Sequence, residues 1–218
     1  MGAFLKSEVF MYTHNQQQII LAGTPIEKAS KAVILIHGRG ASAEDIITLE
    51  QHLHLEGMAI FAPQAAQYSW YPFSFMAPVE KNQPALDSAL DMIGNLVKEI
   101  EAKGIPADRI YFAGFSQGAC LTLEYVARNA KRYGGVIAFT GGLPGETLAL
   151  DNYSGSFAET PVFIGTGDPD AHVPVTRVQQ TVEQLQKQQA NVLLKIYKGR
   201  QHTISGDEIE QANKHVLA

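Results

Sequence analysis

Ser116 stands in Gly114-Phe115-Ser116-Gln117-Gly118, a G-x-S-x-G spacing that suits a serine made into a nucleophile. Such a match is weak alone, because glycine and serine abound in loops. Here the apolar run Arg109 to Gly114 leads into it and the apolar segment Ala119 to Leu123 leaves it, so the expected context is strand, sharp turn, buried helix. The turn needs glycine on either side, where a side chain would strike the neighbouring strand and helix. It also sets Ser116 at a helix start, whose unpaired N–H groups favour a developing negative charge.

A serine nucleophile requires a base and a group that orients the base. On open α/β sheets with this elbow the chain order is serine, acid, histidine. Past Pro161 to Thr166 lies Gly167-Asp168-Pro169-Asp170-Ala171-His172-Val173-Pro174, and past Val192 to Tyr197 lies Lys198-Gly199-Arg200-Gln201-His202. Asp170 is assigned to orient the imidazole and His202 to act as base. His172 is the serious rival, but it lies two residues from the acid, whereas the base must arrive from a separate loop. The glycine-bearing loop His37-Gly38-Arg39-Gly40-Ala41 follows the first strong strand, and the N–H groups of Arg39 and Gln117 are the candidate oxyanion pair. His37 is read as a structural histidine tying down that loop.

The remaining histidines, His14, His52, His54 and His215, are read as solvated. His52 and His54 cannot share a helix face at their spacing, and H-E-x-x-H is absent, so no metal site is expected. The G-x-G-x-x-G and Walker patterns are absent as well. Cys120, the only cysteine, is read as a small buried core residue.

These loops must be held by a scaffold. Ala32 to His37, Met58 to Pro63, Arg109 to Gly114, Gly135 to Thr140, Pro161 to Thr166 and Val192 to Tyr197 read as strands, and their near-continuous hydrophobicity predicts a mostly parallel sheet covered on both faces. Leu86, Leu90, Ile93, Val97 and Ile100 predict a helix ended by Gly104 and Pro106. Val175, Val178, Val182 and Leu185 predict another, and Asp207 opens a C-terminal one. Glu8 to Tyr12 and Gln18 to Leu21, flanking His14-Asn15, predict a polar hairpin at a sheet edge.

With 218 residues and no dividing linker, residues 1–218 are expected to form a single α/β domain. Seventeen basic residues are scattered among twenty-two acidic ones, for a net charge of −5, which disfavours nucleic acid. Lys6 and Glu8 interrupt any signal-peptide core, and Lys6 stands where a myristoylation signal needs Ser or Thr, so a cytoplasmic location without stable membrane insertion is expected. Tyr68, Trp70, Tyr71, Phe73 and Phe75 crowd one loop. Trp70, Tyr71 and Phe73 are the candidate substrate-binding residues, as walls of an acyl pocket.

With these pieces assembled, the sequence resembles the phospholipase/carboxylesterase family, which includes bacterial carboxylesterases and acyl-protein thioesterases. The resemblance is carried by LIHGRGA, SWYPFSF, GIPADRIYFAGFSQGA, GDPDAHVP and YKGRQHT, in order from about Ala32 to His202. It implies an α/β-hydrolase fold with little or no cap domain, Asp170 rather than Asp168 as the acid, and cleavage of carboxylic esters or thioesters without a cofactor. The implied partner is a small-molecule ester, lysolipid or acyl-thioester, and a homodimer is the macromolecular association open to the chain. Two departures stand out. Trp70-Tyr71-Pro72 replaces the Trp-Phe-Asp common in acyl-protein thioesterases, and Arg39 replaces a small apolar residue; its side chain is read as solvated, with an anionic head group as the sharper alternative. Two rival readings are a catalytically silent ligand-binding protein and a dienelactone-type hydrolase, which would want cysteine where Ser116 stands.

Overall fold

The computed structural model describes residues 13, 14 and 18–218. Among these residues seven strands form one sheet: β1 (Ile19–Gly23), β2 (Lys31–Ile36), β3 (Met58–Pro63), β4 (Ile110–Phe115), β5 (Gly135–Phe139), β6 (Pro161–Asp168) and β7 (Asn191–Lys198). Their spatial order is β1-β3-β2-β4-β5-β6-β7. Only β1 runs antiparallel, against β3; every other pair is parallel. The predicted strands agree with the observed ones to within two residues at each end. Of the expected N-terminal hairpin, the limb from Gln18 becomes β1 at the sheet edge, while Glu8 to Tyr12 and Asn15 lie outside the described residues.

Alternation along buried strands explains how one sheet covers itself on both sides. Ile34, Ile36, Phe61, Phe112, Val136 and Ile164 face one cluster, while Val33, Leu35, Ile60, Tyr111, Ile137 and Phe163 face the other. Among the described residues six α-helices lie over these faces: α1 (Ala43–Ile47), α2 (Val79–Asn82), α3 (Ala85–Ala102), α4 (Gln117–Arg128), α5 (Val175–Lys187) and α6 (Gly206–Val216). Leu86, Ile93 and Ile100 of α3, Leu121 of α4 and Val178 and Leu185 of α5 join the first cluster. Ala43 and Ile46 of α1 and Ala212 and Val216 of α6 join the second. Each fully buried aliphatic side chain contributes about 1.5–3 kcal/mol, so this two-sided burial holds the loops at the strand ends.

Strand order decides where a site can form. From β2 the chain crosses to β3 on one side, and from β4 onward it proceeds the other way, so the carboxyl ends of β2 and β4 flank a topological switch point. The oxyanion-loop candidate leaves β2 and the elbow leaves β4. The acid loop and the histidine loop leave β6 and β7, paired in register to Asp168 opposite Lys198. The long connections 64–84 and 140–160 contain no helix longer than four residues, so among the described residues no cap domain is inserted over the strand ends. No helix among the described residues is long and apolar enough to cross a membrane.

Candidate active site

Ser116 sits between β4 and α4 with φ 55° and ψ −119°, a conformation that costs a residue with a Cβ about 1–3 kcal/mol. Its neighbours enforce it. The Ser116 N–H donates to Phe139 O at 3.0 Å. A Cβ on Gly114 would come within 2.5 Å of Gly118 O, and one on Gly118 would collide with Ile36 O, so both flanking glycines are sterically required. The elbow thus presses against the end of β2.

Two loops converge on the serine. His202 Nε2 lies 2.8 Å from Ser116 Oγ, and His202 Nδ1 lies 2.8 Å from Asp170 Oδ2. These partners fix the tautomer: Nδ1–H donates to the carboxylate and Nε2 accepts from the serine hydroxyl. Asp170 Oδ1 accepts the N–H groups of His172 at 2.8 Å and Val173 at 2.9 Å, and its side chain is fully buried. Burial pushes the Asp170 carboxyl up, but these N–H groups and the His202 ring outweigh it and hold the carboxyl below its usual range. Asp168 is exposed at the end of β6, and its backbone carbonyl accepts the Gly199 N–H at 2.7 Å. Gly167 is bare because a Cβ there would strike Arg200 O, which lets the acid loop close against the histidine loop. His172 is exposed, with its ring edge-on to His202 at 4.9 Å.

The loop after β2 is equally constrained. His37 Nε2 accepts the Ala65 N–H at 3.1 Å, so Nδ1 carries the proton and donates to Gly38 O at 2.7 Å. Gly38 O also accepts the Ala41 N–H at 3.2 Å. In a trans peptide the N–H points opposite to the carbonyl, so holding Gly38 O turns the Arg39 N–H away from both donors. A Cβ on Gly38 would sit 3.5 Å from Ser116 Cβ. Among the described residues, neither the Arg39 nor the Gln117 N–H is taken by a backbone acceptor.

A cavity of about 470 Å³ opens beside Ser116, lined by Tyr71, Phe73, Phe75, Phe115 and Val173 among others. Tyr71 and Phe73, the candidate substrate-binding residues, both line this cavity. Trp70 does not: it is fully buried behind the wall, its indole N–H donating to His37 O at 2.8 Å. Its ring lies between His14 and His37, at 5.3 and 5.0 Å. His14 is buried, not solvated; Nδ1 accepts the Ala66 N–H at 3.1 Å and Nε2–H donates to Trp70 O at 2.9 Å. His52 and His54 are exposed as read, and half-buried His215 bonds Asn191 O. Cys120 is buried at the cavity floor, and burial pushes its thiol up to about 12. Arg39 is not simply solvated either: its guanidinium bonds the carbonyls of Pro72 and Phe73.

Three supporting side chains escaped the sequence reading. The buried Gln117 amide accepts the Trp70 N–H at 2.9 Å and donates to Tyr71 O at 2.8 Å, tying the aromatic loop to the elbow. Arg200 pairs with buried Glu208, which caps α6 through Ser205, and also bonds Thr203 O, so the His202 loop is braced from below. The capping box Ser205-x-x-Glu208 was the available signal for this brace.

His14 and His37 are both buried neutral, and burial, the largest influence on each, draws their pKa below the usual histidine value. The unfolded chain binds protons below about pH 6.5 that the folded one refuses. Stability is therefore expected to fall as pH drops below about 6.5, each histidine adding up to about 1.4 kcal/mol per pH unit. Glu124 and Glu208, raised by burial, work in the opposite sense. Urea midpoints of wild type and His14→Gln, compared at pH 7 and 5.5, isolate one histidine: the variant should show the shallower pH dependence, and equal slopes would refute the assignment.

Residues 16–218 match the sequence family described as Phospholipase/Carboxylesterase. A crystal structure of a phospholipase/carboxylesterase from Dyadobacter fermentans is 62% identical, with a TM-score of 0.94 over 95% of this chain and 99% of that one. Acyl-protein thioesterase 1 of Saccharomyces cerevisiae is 28% identical over 209 residues, 85% of this chain and 91% of its own length. Arabidopsis thaliana SOBER1, 18% identical with a TM-score of 0.72 over 86% of this chain and 97% of its own, shares the fold. The elbow at the switch point and the match over nearly the whole described length lead to one conclusion: this chain belongs to the phospholipase/carboxylesterase family of α/β-hydrolases, a family of ester and thioester hydrolases.

Proposed function

We propose that this protein hydrolyses carboxylic esters or thioesters through an acyl-enzyme on Ser116, with His202 as base, Asp170 as its orienting acid, and the N–H groups of Arg39 and Gln117 as the oxyanion hole. The observation that carries the reading is the unbroken relay from Ser116 Oγ to His202 to Asp170, each link 2.8 Å. Ser116 Oγ attacks the acyl carbon while its proton passes to His202 Nε2. Asp170, already accepting two backbone N–H groups, stabilises the imidazolium without taking its proton. Collapse of the tetrahedral intermediate breaks the bond to the alcohol or thiol, which leaves with the proton from Nε2. Water then adds by the same route in reverse and releases the carboxylic acid.

Tyr71 and Phe73 wall the acyl side, with Trp70 supporting them from behind. A cavity of about 470 Å³ suits a small or medium acyl group, a lysolipid or an acyl-thioester. The chain is taken to act as a single domain. The test is labelling by a fluorophosphonate probe, together with 4-nitrophenyl esters of graded chain length. Stoichiometric labelling that abolishes turnover is expected; a folded protein that neither labels nor turns over any ester is a ligand-binding protein instead.

A further inference from the structure

The side chain of Arg39 does something its backbone does not. Nη1 donates to Pro72 O at 2.8 Å and Nη2 to Phe73 O at 2.6 Å, while the guanidinium lies 6.0 Å from the centre of the Tyr71 ring. Carbonyls and a ring face orient a guanidinium, but they do not cancel its charge. Among the described residues no carboxylate lies within ion-pair distance of Arg39, whereas Arg128 and Arg200 are paired with Glu124 and Glu208.

The cavity lining does not pair this charge. Arg39 lines the cavity beside Ser116, and the lining contains no aspartate or glutamate. The nearby Asp170 has both oxygens occupied, by His202, His172 and Val173. In a chain of net charge −5, the cavity mouth thus carries a held guanidinium with no carboxylate in the cavity lining. Two of its five N–H donors are spent, which leaves three for a ligand. Because the Arg39 N–H belongs to the proposed oxyanion hole, this charge stands one side chain away from the carbonyl under attack.

We propose that the Arg39 side chain is an anion subsite, and that the preferred substrates are esters or thioesters carrying a carboxylate or phosphate a few bonds from the scissile carbonyl. This rests on the hydrolase reading above. A fixed fork loses little freedom on binding an oxyanion, and it matches carboxylate and phosphate geometry. Because Arg39 is exposed, solvent screens the attraction, and an advantage of about tenfold in kcat/KM is expected, chiefly through KM.

Two substrate pairs separate the sources of the anion. On the acyl side, 4-nitrophenyl hydrogen glutarate is compared with its methyl ester; on the leaving-group side, 1-butyryl-glycerol 3-phosphate with 1-butyryl-glycerol. The readout is the charged-to-neutral ratio of kcat/KM in wild type, Arg39→Met and Arg39→Lys. Damage to the oxyanion loop divides both members of a pair equally and leaves the ratio unchanged. Wild type should prefer the charged member of at least one pair, Arg39→Met should lose that preference, and Arg39→Lys should regain part of it. The wild-type preference should also shrink by on the order of twofold or more between low and high salt. Neutral esters turned over with no charged preference in either pair, or a preference untouched by Arg39→Met and by salt, overturns the anion subsite while leaving the hydrolase intact. No turnover of any ester by folded wild type overturns the hydrolase reading and this inference with it.

Discussion

Ser116→Ala is expected to lower ester turnover by about 10⁵ or more while leaving the fold in place. The size follows from removing the nucleophile of a triad whose members act as one unit. Structural cost should be small, because the hydroxyl's partner is His202 and the strained turn is held by backbone and glycine contacts that alanine keeps. The thermal midpoint should stay within a few degrees of wild type. Measured turnover within tenfold of wild type, on a sample free of contaminating esterase, would dismiss Ser116 as the nucleophile.

Asp170→Asn should cost about 10⁴ in turnover, against about tenfold or less for Asp168→Asn. The side-chain carbonyl of the substituted asparagine can still accept from the His172 and Val173 N–H groups, so the turn survives. Its amide nitrogen then faces His202 Nδ1 as a donor and selects the tautomer with hydrogen on Nε2, which cannot accept the serine proton. Asp168 lies exposed at the strand end and anchors its neighbour through a backbone carbonyl that asparagine retains. Both variants assayed with one activated ester, alongside circular dichroism, decide the matter. Greater damage from Asp168→Asn would move the acid two residues upstream.

The amino-acid sequence by itself determined the scaffold and marked the side chains proposed here as the reacting groups. Buried parallel strands are written as continuous apolar runs, and an elbow between strand and helix needs glycines at fixed places, so Gly114, Ser116 and Gly118 declare themselves locally. Asp170 and His202 could be nominated because each follows a recognisable strand in the order this fold uses, and the structure brings both to Ser116. Tertiary structure alone decided what the aromatic and basic side chains touch. Trp70 and Tyr71 are adjacent in a loop without periodicity, yet one is locked behind the wall by His37 and Gln117 and the other forms the wall. His14 and Trp70 are 56 residues apart in the chain, and Arg39 reaches the Pro72 and Phe73 carbonyls from more than thirty residues away. Periodicity and turn chemistry are local, and they say which face of an element is apolar. Where a long side chain from one loop finds a donor or acceptor on another depends on the order of strands in the sheet, and that order exists only once the chain has folded.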